Sequence, residues 1–523
     1  MTRNSLRSPR PLWKLSPFLQ PAALSALFVI AGAGIACGSS DGGTTPASGG
    51  QGPSAGGASA GSANPTGGSG PATGGSNSSG GTGGVAGSAP IAGSAPVAGS
   101  GGTGSGTAGT GPGTGGTGPA TAGSGGSGVG TAGTGAGGGG ATHWVGTWTA
   151  SPYETSATDG MPPAGVTLAN GVTRQITHAS LGGKQIRVQY SNKKGSTALT
   201  IKAAHVALCK AMPLVDSTID TTTDKALAFS GSAMVTIPPG AEVWSDAVAF
   251  DLPALGNVTI TTAFGSVPSE ITSHNGSRTD SYFQNNSTDV SVANMASAMK
   301  VTHWYFISGM DVMASADAKG IVAIGDSITD GRGVTPNANN RWTDVLAARL
   351  QANTATKNVS LMNQGIGATN LTGTDPKSAE NRFARDVLGQ SGVKYAIILD
   401  GVNDINGINS GNEAATISSM KAVYDKLVKA AHDKGVLVYG GTITPFGGSD
   451  FGKDATHEDA RKQLNTYIKS GVFDGVIDFD SAVKDPANAA NLLASADSGD
   501  HLHPSPAGYK LMADIVDLSL FTK

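Results

Sequence analysis

Cysteine is almost missing: the 523 residues contain two, Cys37 and Cys209. One precedes a low-complexity tract and the other sits in an apolar run, so no disulfide framework is expected. Charge is also scarce. Asp, Glu, Lys and Arg together make up 14% of the chain, the net charge is −3, and no long basic run occurs. Nucleic-acid binding therefore has no electrostatic footprint. Clusters of thiolates or carboxylates at metal-ligand spacing are absent too, so neither a metal nor another cofactor is expected. Large apolar side chains are nearly missing from residues 38–141, which consist almost wholly of Gly, Ser, Thr, Ala and Pro. Such a tract cannot offset chain entropy by burial and is predicted to be a disordered linker.

The N-terminus has the pattern of an export signal. Arg3, Arg7, Arg10 and Lys14 precede an apolar stretch from Pro21 to Ala36, which is short for a membrane span. It ends in Gly34-Ile35-Ala36-Cys37, which resembles a bacterial lipobox except at Gly34. The expectation is a signal peptide over residues 1–37, with Cys37 lipidated and the chain exported to the cell envelope or secreted. Membrane contact would then run through the lipid anchor alone, and the flexible tract would act as a tether. An ordinary cleaved signal and an uncleaved anchor are the alternatives.

Residues 142–316 alternate in the manner of strands. Ile186, Val188 and Tyr190 fall on one face of Lys184 to Tyr190. Similar runs lie at Ile201–Leu208, Val235–Ile237, Val258–Ile260 and Val301–Ile307, separated by turn clusters such as Pro238-Pro239-Gly240. This predicts an antiparallel β-sandwich or jelly roll. From residue 317 to 523 the pattern changes. Short buried runs at Ile321–Ile324, Val359–Met362, Tyr395–Leu399, Val436–Tyr439 and Val476–Phe479 alternate with helical stretches. The clearest of these places Ile417, Met420, Tyr424, Leu427, Val428 and Ala431 on one face. The alternation predicts an α/β domain, a parallel sheet covered on both sides, with its chemistry past the carboxyl ends of the strands.

Four motifs fall at those ends or in the last loop. The first strand leads into Gly325-Asp326-Ser327-Ile328-Thr329-Asp330-Gly331, where Ser327 is either an exposed nucleophile or a helix cap. The second leads into Asn363-Gln364-Gly365-Ile366-Gly367-Ala368, a tight turn that lets backbone approach a ligand. The third leads into Asp400-Gly401-Val402-Asn403-Asp404, where Asn403 either faces an oxyanion or caps the next segment. Near the C-terminus stands Asp500-His501-Leu502-His503-Pro504. A carboxylate three residues before a His can orient its ring, and the other ring nitrogen can serve a serine as base. A surface His, or a zinc site from His501 and His503, is the competing reading.

Together these blocks resemble the SGNH/GDSL hydrolase superfamily of esterases and lipases. The resemblance runs from Ile321 to Leu518 and includes Arg341-Trp342 and Thr442-Ile443-Thr444-Pro445-Phe446. It implies a flavodoxin-like three-layer α/β/α domain. It also implies a catalytic set of Ser327, Asp500 and His503, and an oxyanion hole from the backbone N–H groups of Ser327 and Ala368 with the Asn403 side chain. The family has Gly where this chain has Ala368. The segment His143-Trp144-Val145-Gly146-Thr147-Trp148 and the β-rich region resemble two-domain members compared with acetylxylan esterases. The implied activity is hydrolysis of short-chain acyl esters, acetyl above all, with an acylated polysaccharide as the expected partner. Alternatives are lipase-type hydrolysis, acyl transfer, or a catalytically impaired carbohydrate-binding surface lipoprotein. Polar loop residues Asn337, Asn339, Asn340, Asn370, Asn406 and Asn409 are expected to face a hydroxyl-rich ligand. His274 and Tyr282 are the β-domain's candidates for a wall of the cleft.

Overall fold

Five runs of branched and aliphatic residues become the strands of one all-parallel sheet: Lys319–Gly325, Val359–Gly365, Val393–Leu399, Leu437–Gly441 and Gly475–Ile477. Their spatial order is second, first, third, fourth, fifth, the flavodoxin-like arrangement. The structure is a computed structural model, and it describes residues 141–155, 161–210, 214, 216–452 and 454–523. The expected signal peptide with Cys37, and the Gly-rich tract up to residue 140, lie outside the described residues.

The first strand is buried from Gly320 onward, which is why it reads as a continuous apolar run with no alternation. The helix Glu413–His432 buries every residue of its predicted apolar face. The fifth strand is shorter than the sequence suggests. It stops at Ile477 because the Asp478 side chain caps the helix Phe479–Val483, accepting the Ser481 N–H, so Phe479 belongs to a helix. Among the described residues no helix is long and apolar enough to cross a membrane.

Residues 142–316 form antiparallel sheets of five, seven and three strands. Ile186, Val188 and Tyr190 of one large sheet share a core with Ile201, Val206, Val258 and Ile260 of the other, as in a β-sandwich. The single strand expected over Val301–Ile307 is three strands. Met299–Val301, Trp304–Tyr305 and Ile307–Ser315 each join a different sheet. Phe306 adopts φ +59° between the last two, and this left-handed bend breaks the run.

The β-domain lies along the open edge of the parallel sheet. The Gly146 N–H donates to Ser391 O at 2.9 Å. On the edge strand itself, Leu361 N–H donates to Ser180 Oγ at 2.9 Å and Thr149 Oγ1 donates to Asn363 O at 3.2 Å. Edge groups that would otherwise face water are thereby satisfied.

Beneath the ends of the first two strands sits Arg382, with no exposed side-chain surface. It donates to Gly325 O at 2.8 Å, to Lys377 O at 2.8 Å, to Gln364 O, and to Asp386 Oδ2 at 3.2 Å. Replacing it leaves the strand-end carbonyls of Gly325 and Gln364 without this donor, while Asp386 keeps Arg385 and Ser151. Arg382→Ala should therefore lower stability by about 2–5 kcal/mol, read as a fall in the urea midpoint at unchanged slope.

Candidate active site

Ser327 opens a helix of a single turn, Ser327–Asp330, at the carboxyl end of the first strand. Asp326 caps it by accepting the Ile328 N–H at 2.9 Å. Gly331, at φ +92°, ends it. As the first residue of a helix, Ser327 has a backbone N–H without an intrahelical acceptor. The turn packs hard against the loop after the second strand. A methyl group on Gly365 would stand 2.3 Å from Asp330 N, so only glycine permits this approach.

Ser327 Oγ lies 2.8 Å from His503 Nε2. His503 Nδ1 lies 2.6 Å from Asp500 Oδ2, while Asp500 Oδ1 accepts the backbone N–H groups of His503 and Leu502 at 2.8 and 3.1 Å. Partial burial would raise the Asp500 carboxyl, but the bonds and charge from His503 and the Leu502 N–H outweigh it and hold it well below the usual range. Ser327 is 8% exposed and His503 4%, so the pair sits just under the surface. His501 turns away to Asp497, its Nδ1 2.6 Å from Oδ2. The two histidines thus face different acids and do not converge.

Ala368 follows Gly367, where a methyl group would be 3.9 Å from Ser327 Cβ. The loop therefore borders the serine. Ala368 is exposed and adopts φ +59°. Its N–H meets no protein acceptor among the described residues. Asn403 donates one Nδ2 hydrogen to Thr369 O at 2.8 Å, joining the loops after the second and third strands, and an amide nitrogen carries a second. Asp404 steadies the same loop by accepting from Leu371 N, Thr372 N and Thr372 Oγ1 at 2.7, 3.0 and 2.6 Å.

Other expectations need correction. His274 is buried and lines an internal cavity with Trp304, Asp330 and Arg341 that does not include Ser327, and its Nε2 lies 2.9 Å from Asp330 Oδ1. Tyr282 packs in a small apolar cluster with Val172, Ile176 and Met295 inside the β-domain. Asn337 and Asn339 are used up between the domains. Asn337 accepts the Asp280 N–H and donates to its carboxylate, and Asn339 donates to Asn257 Oδ1 at 2.9 Å. Asn340 and Asn409 accept N–H groups within their own turns. A polar loop residue in sequence says nothing about which surface it meets.

Buried acid also escaped the sequence reading. Asp326 and Asp400 follow Gly325 and Leu399, which are paired in register on neighbouring strands. Burial first, and then the other acids nearby, push both carboxyls upward. Their position directly after two apolar strands was the available signal.

An alanine in the left-handed region costs roughly 1–2 kcal/mol, of which glycine returns part through greater unfolded-state freedom. Ala368→Gly should therefore raise stability by about 0.5–1 kcal/mol while retaining activity, checked by thermal unfolding and ester turnover.

Residues 323–511 match the family model of the GDSL-like lipase/acylhydrolase family, a span that holds Ser327, Ala368, Asn403, Asp500 and His503. None of the curated proteins matches the chain. Among solved structures it is similar to a variant of Axe2, an acetyl xylan esterase from Geobacillus stearothermophilus, at 20% identity, covering 37% of this chain and 91% of that one with a TM-score of 0.30. It is also similar to a member of the lipolytic G-D-S-L family from Veillonella parvula, at 22% identity, 39% and 100% coverage and a TM-score of 0.28. A GDSL-like lipase from Bacteroides thetaiotaomicron matches at 18% identity, 39% and 88% coverage and a TM-score of 0.27. With the parallel sheet and the serine turn described above, residues 323–511 are a domain of the GDSL-like lipase/acylhydrolase family.

Proposed function

We propose that this protein is a serine esterase that hydrolyses short-chain acyl esters through a covalent acyl-enzyme. The observation that carries the reading is the continuous line from Ser327 Oγ to His503 Nε2 at 2.8 Å and from His503 Nδ1 to Asp500 at 2.6 Å. A serine hydroxyl is a poor nucleophile at neutral pH unless a base takes its proton as it attacks. In the proposed sequence His503 accepts that proton while Ser327 Oγ bonds to the ester carbonyl carbon. The tetrahedral oxyanion is met by the N–H groups of Ser327 and Ala368 and by the second hydrogen of Asn403 Nδ2. His503 then protonates the leaving alcohol as the C–O bond breaks. Water, deprotonated by His503, attacks the acyl-Ser327, and the acid leaves with the serine restored. Asp500 keeps the ring oriented and offsets its transient charge.

For the acyl group we infer acetyl or another short chain, and for the alcohol a carbohydrate or comparable polar group. Gly365, Gly367 and Ala368 give the turn beside Ser327 small side chains. Asn370, two residues past Ala368, is exposed and suits a hydroxyl-rich ligand. The resemblance of the two-domain layout to acetylxylan-esterase-like members points the same way by analogy.

Ser327→Ala should abolish ester hydrolysis in a folded protein, and a fluorophosphonate should label the wild type but not the variant. Near-normal turnover in Ser327→Ala would end the assignment. Asn403→Ala should lose roughly a hundredfold or more in kcat, and equal activity would move the oxyanion site elsewhere. A chain-length series of aryl esters, run beside acetylated xylan, tests the substrate. The expected maximum is at acetate with acetate released from the polysaccharide, whereas a maximum at long chains without such release indicates a lipase.

A further inference from the structure

We propose that the β-domain is part of the catalytic apparatus: through His274 and Arg278 it holds Asp330, and with it the single-turn helix that carries Ser327. The inference rests on the reading of Ser327 as nucleophile.

A helix of four residues cannot hold its own shape, since one turn fixes many torsions for few hydrogen bonds. Its position must come from outside. Asp330 is its last residue, and it is 4% exposed. Both of its carboxylate oxygens are taken by the β-domain: His274 Nε2 lies 2.9 Å from Oδ1, and Arg278 donates to Oδ2 at 2.7 Å. The backbone end of the helix is bridged as well. Arg341 donates through Nε to Asp330 O at 3.0 Å and through a terminal nitrogen to the Gly276 and Ser277 carbonyls.

Several features show a fitted seat. A methyl group on Gly276 would stand 2.0 Å from both Asp330 oxygens, so the β-domain places glycine where the carboxylate must enter. The other nitrogen of His274 faces Ser151 O at 3.0 Å. Both ring nitrogens of His274 thus lie opposite oxygen acceptors, one in its own domain and one on the serine turn. Burial alone would raise the Asp330 carboxyl, but Arg278, His274 and Arg341 outweigh it and keep it charged. Tyr153 and Trp304 flank the His274 ring at centroid distances of 5.6 and 5.7 Å.

From Asp330 the restraint runs on to both reacting groups. Ser327 O accepts the N–H groups of Gly331 and Arg332. Arg332 O accepts the Tyr509 hydroxyl at 2.6 Å, from the helix that follows His503. A displacement of about 1 Å at a nucleophile costs on the order of a hundredfold in rate, so releasing Asp330 should act on the chemical step.

The test compares Asp330→Asn, His274→Ala and Arg278→Gln in the full chain, with kcat and KM for an aryl acetate and the rate of fluorophosphonate labelling of Ser327. Asp330→Asn and His274→Ala should lower kcat about tenfold to a hundredfold at little-changed KM, with labelling slowed by the same factor. The Asp330→Asn, His274→Ala double variant should be no slower than the worse of those two singles, because the two act through one contact. Arg278 is partly exposed, so Arg278→Gln keeps the seat filled and covers the case in which the others fail to fold. It should cost severalfold in kcat. Ser391→Ala, which removes a bond to Asp311 elsewhere on the domain seam, should leave kcat unchanged. Folded Arg278→Gln with wild-type kcat and labelling would overturn the proposal, as would losses in the double variant that simply multiply. If Ser327→Ala is inactive while these variants are normal, the positioning role falls and the esterase reading stands. An active Ser327→Ala overturns the esterase reading itself.

Discussion

A guanidinium with no access to water joins the two strand ends from which the serine turn and its glycine-rich neighbour depart. Arg382 donates to the carbonyls of Gly325 and Gln364, the last position of the first strand and the last but one of the second. Asp386 balances its charge and is itself reached from the β-domain by Ser151 Oγ at 2.5 Å. One buried cation thus meets the sheet, the loops above it and the other domain. Desolvation makes such a group expensive unless every N–H finds an acceptor, and here the acceptors are the strand ends themselves.

Around it lies an excess of acid. Asp326, Asp400 and Asp404 are buried close to the serine turn, and burial raises the carboxyl of each. Two have visible structural work that ordinary side chains could not do. Asp326 caps the serine turn, and Asp404 takes three donors from the loop that follows Ala368. The polar interior fixes loop positions, while the apolar core of Ile321, Val322, Ile397 and Ile398 fixes the strands.

The strands were legible because burial on both faces leaves continuous apolar runs, and the helix at 413–432 because its face repeats at 3.6 residues. Ser327, Asp500 and His503 were legible as motifs at strand ends and in the last loop. What sequence could not show were pairings between distant segments. Nothing about His274 in the chain announces that its partner is Asp330, and nothing about Asn337 or Asn339 tells a substrate loop from a domain seam. Ala368 was visible as a departure from a glycine, but its positive φ belongs to the folded turn. Phe306 is similar: a left-handed aromatic inside an apolar run leaves no mark in the pattern.

The seam along Val359–Gly365 has one more implication. A parallel sheet needs helices on its faces, but its edges remain templates for foreign strands. Here one edge is met by the β-domain, through hydrogen bonds from Ser180 and Thr149 and through Gly146 packed against Met362. The α/β half severed from its neighbour would carry a raw, sticky border of unpaired amides next to newly bared Met362 and Leu361. The protein is therefore not a catalytic cassette with an optional appendage. Each half covers part of the other, and any excision or domain graft has to supply a substitute for that border.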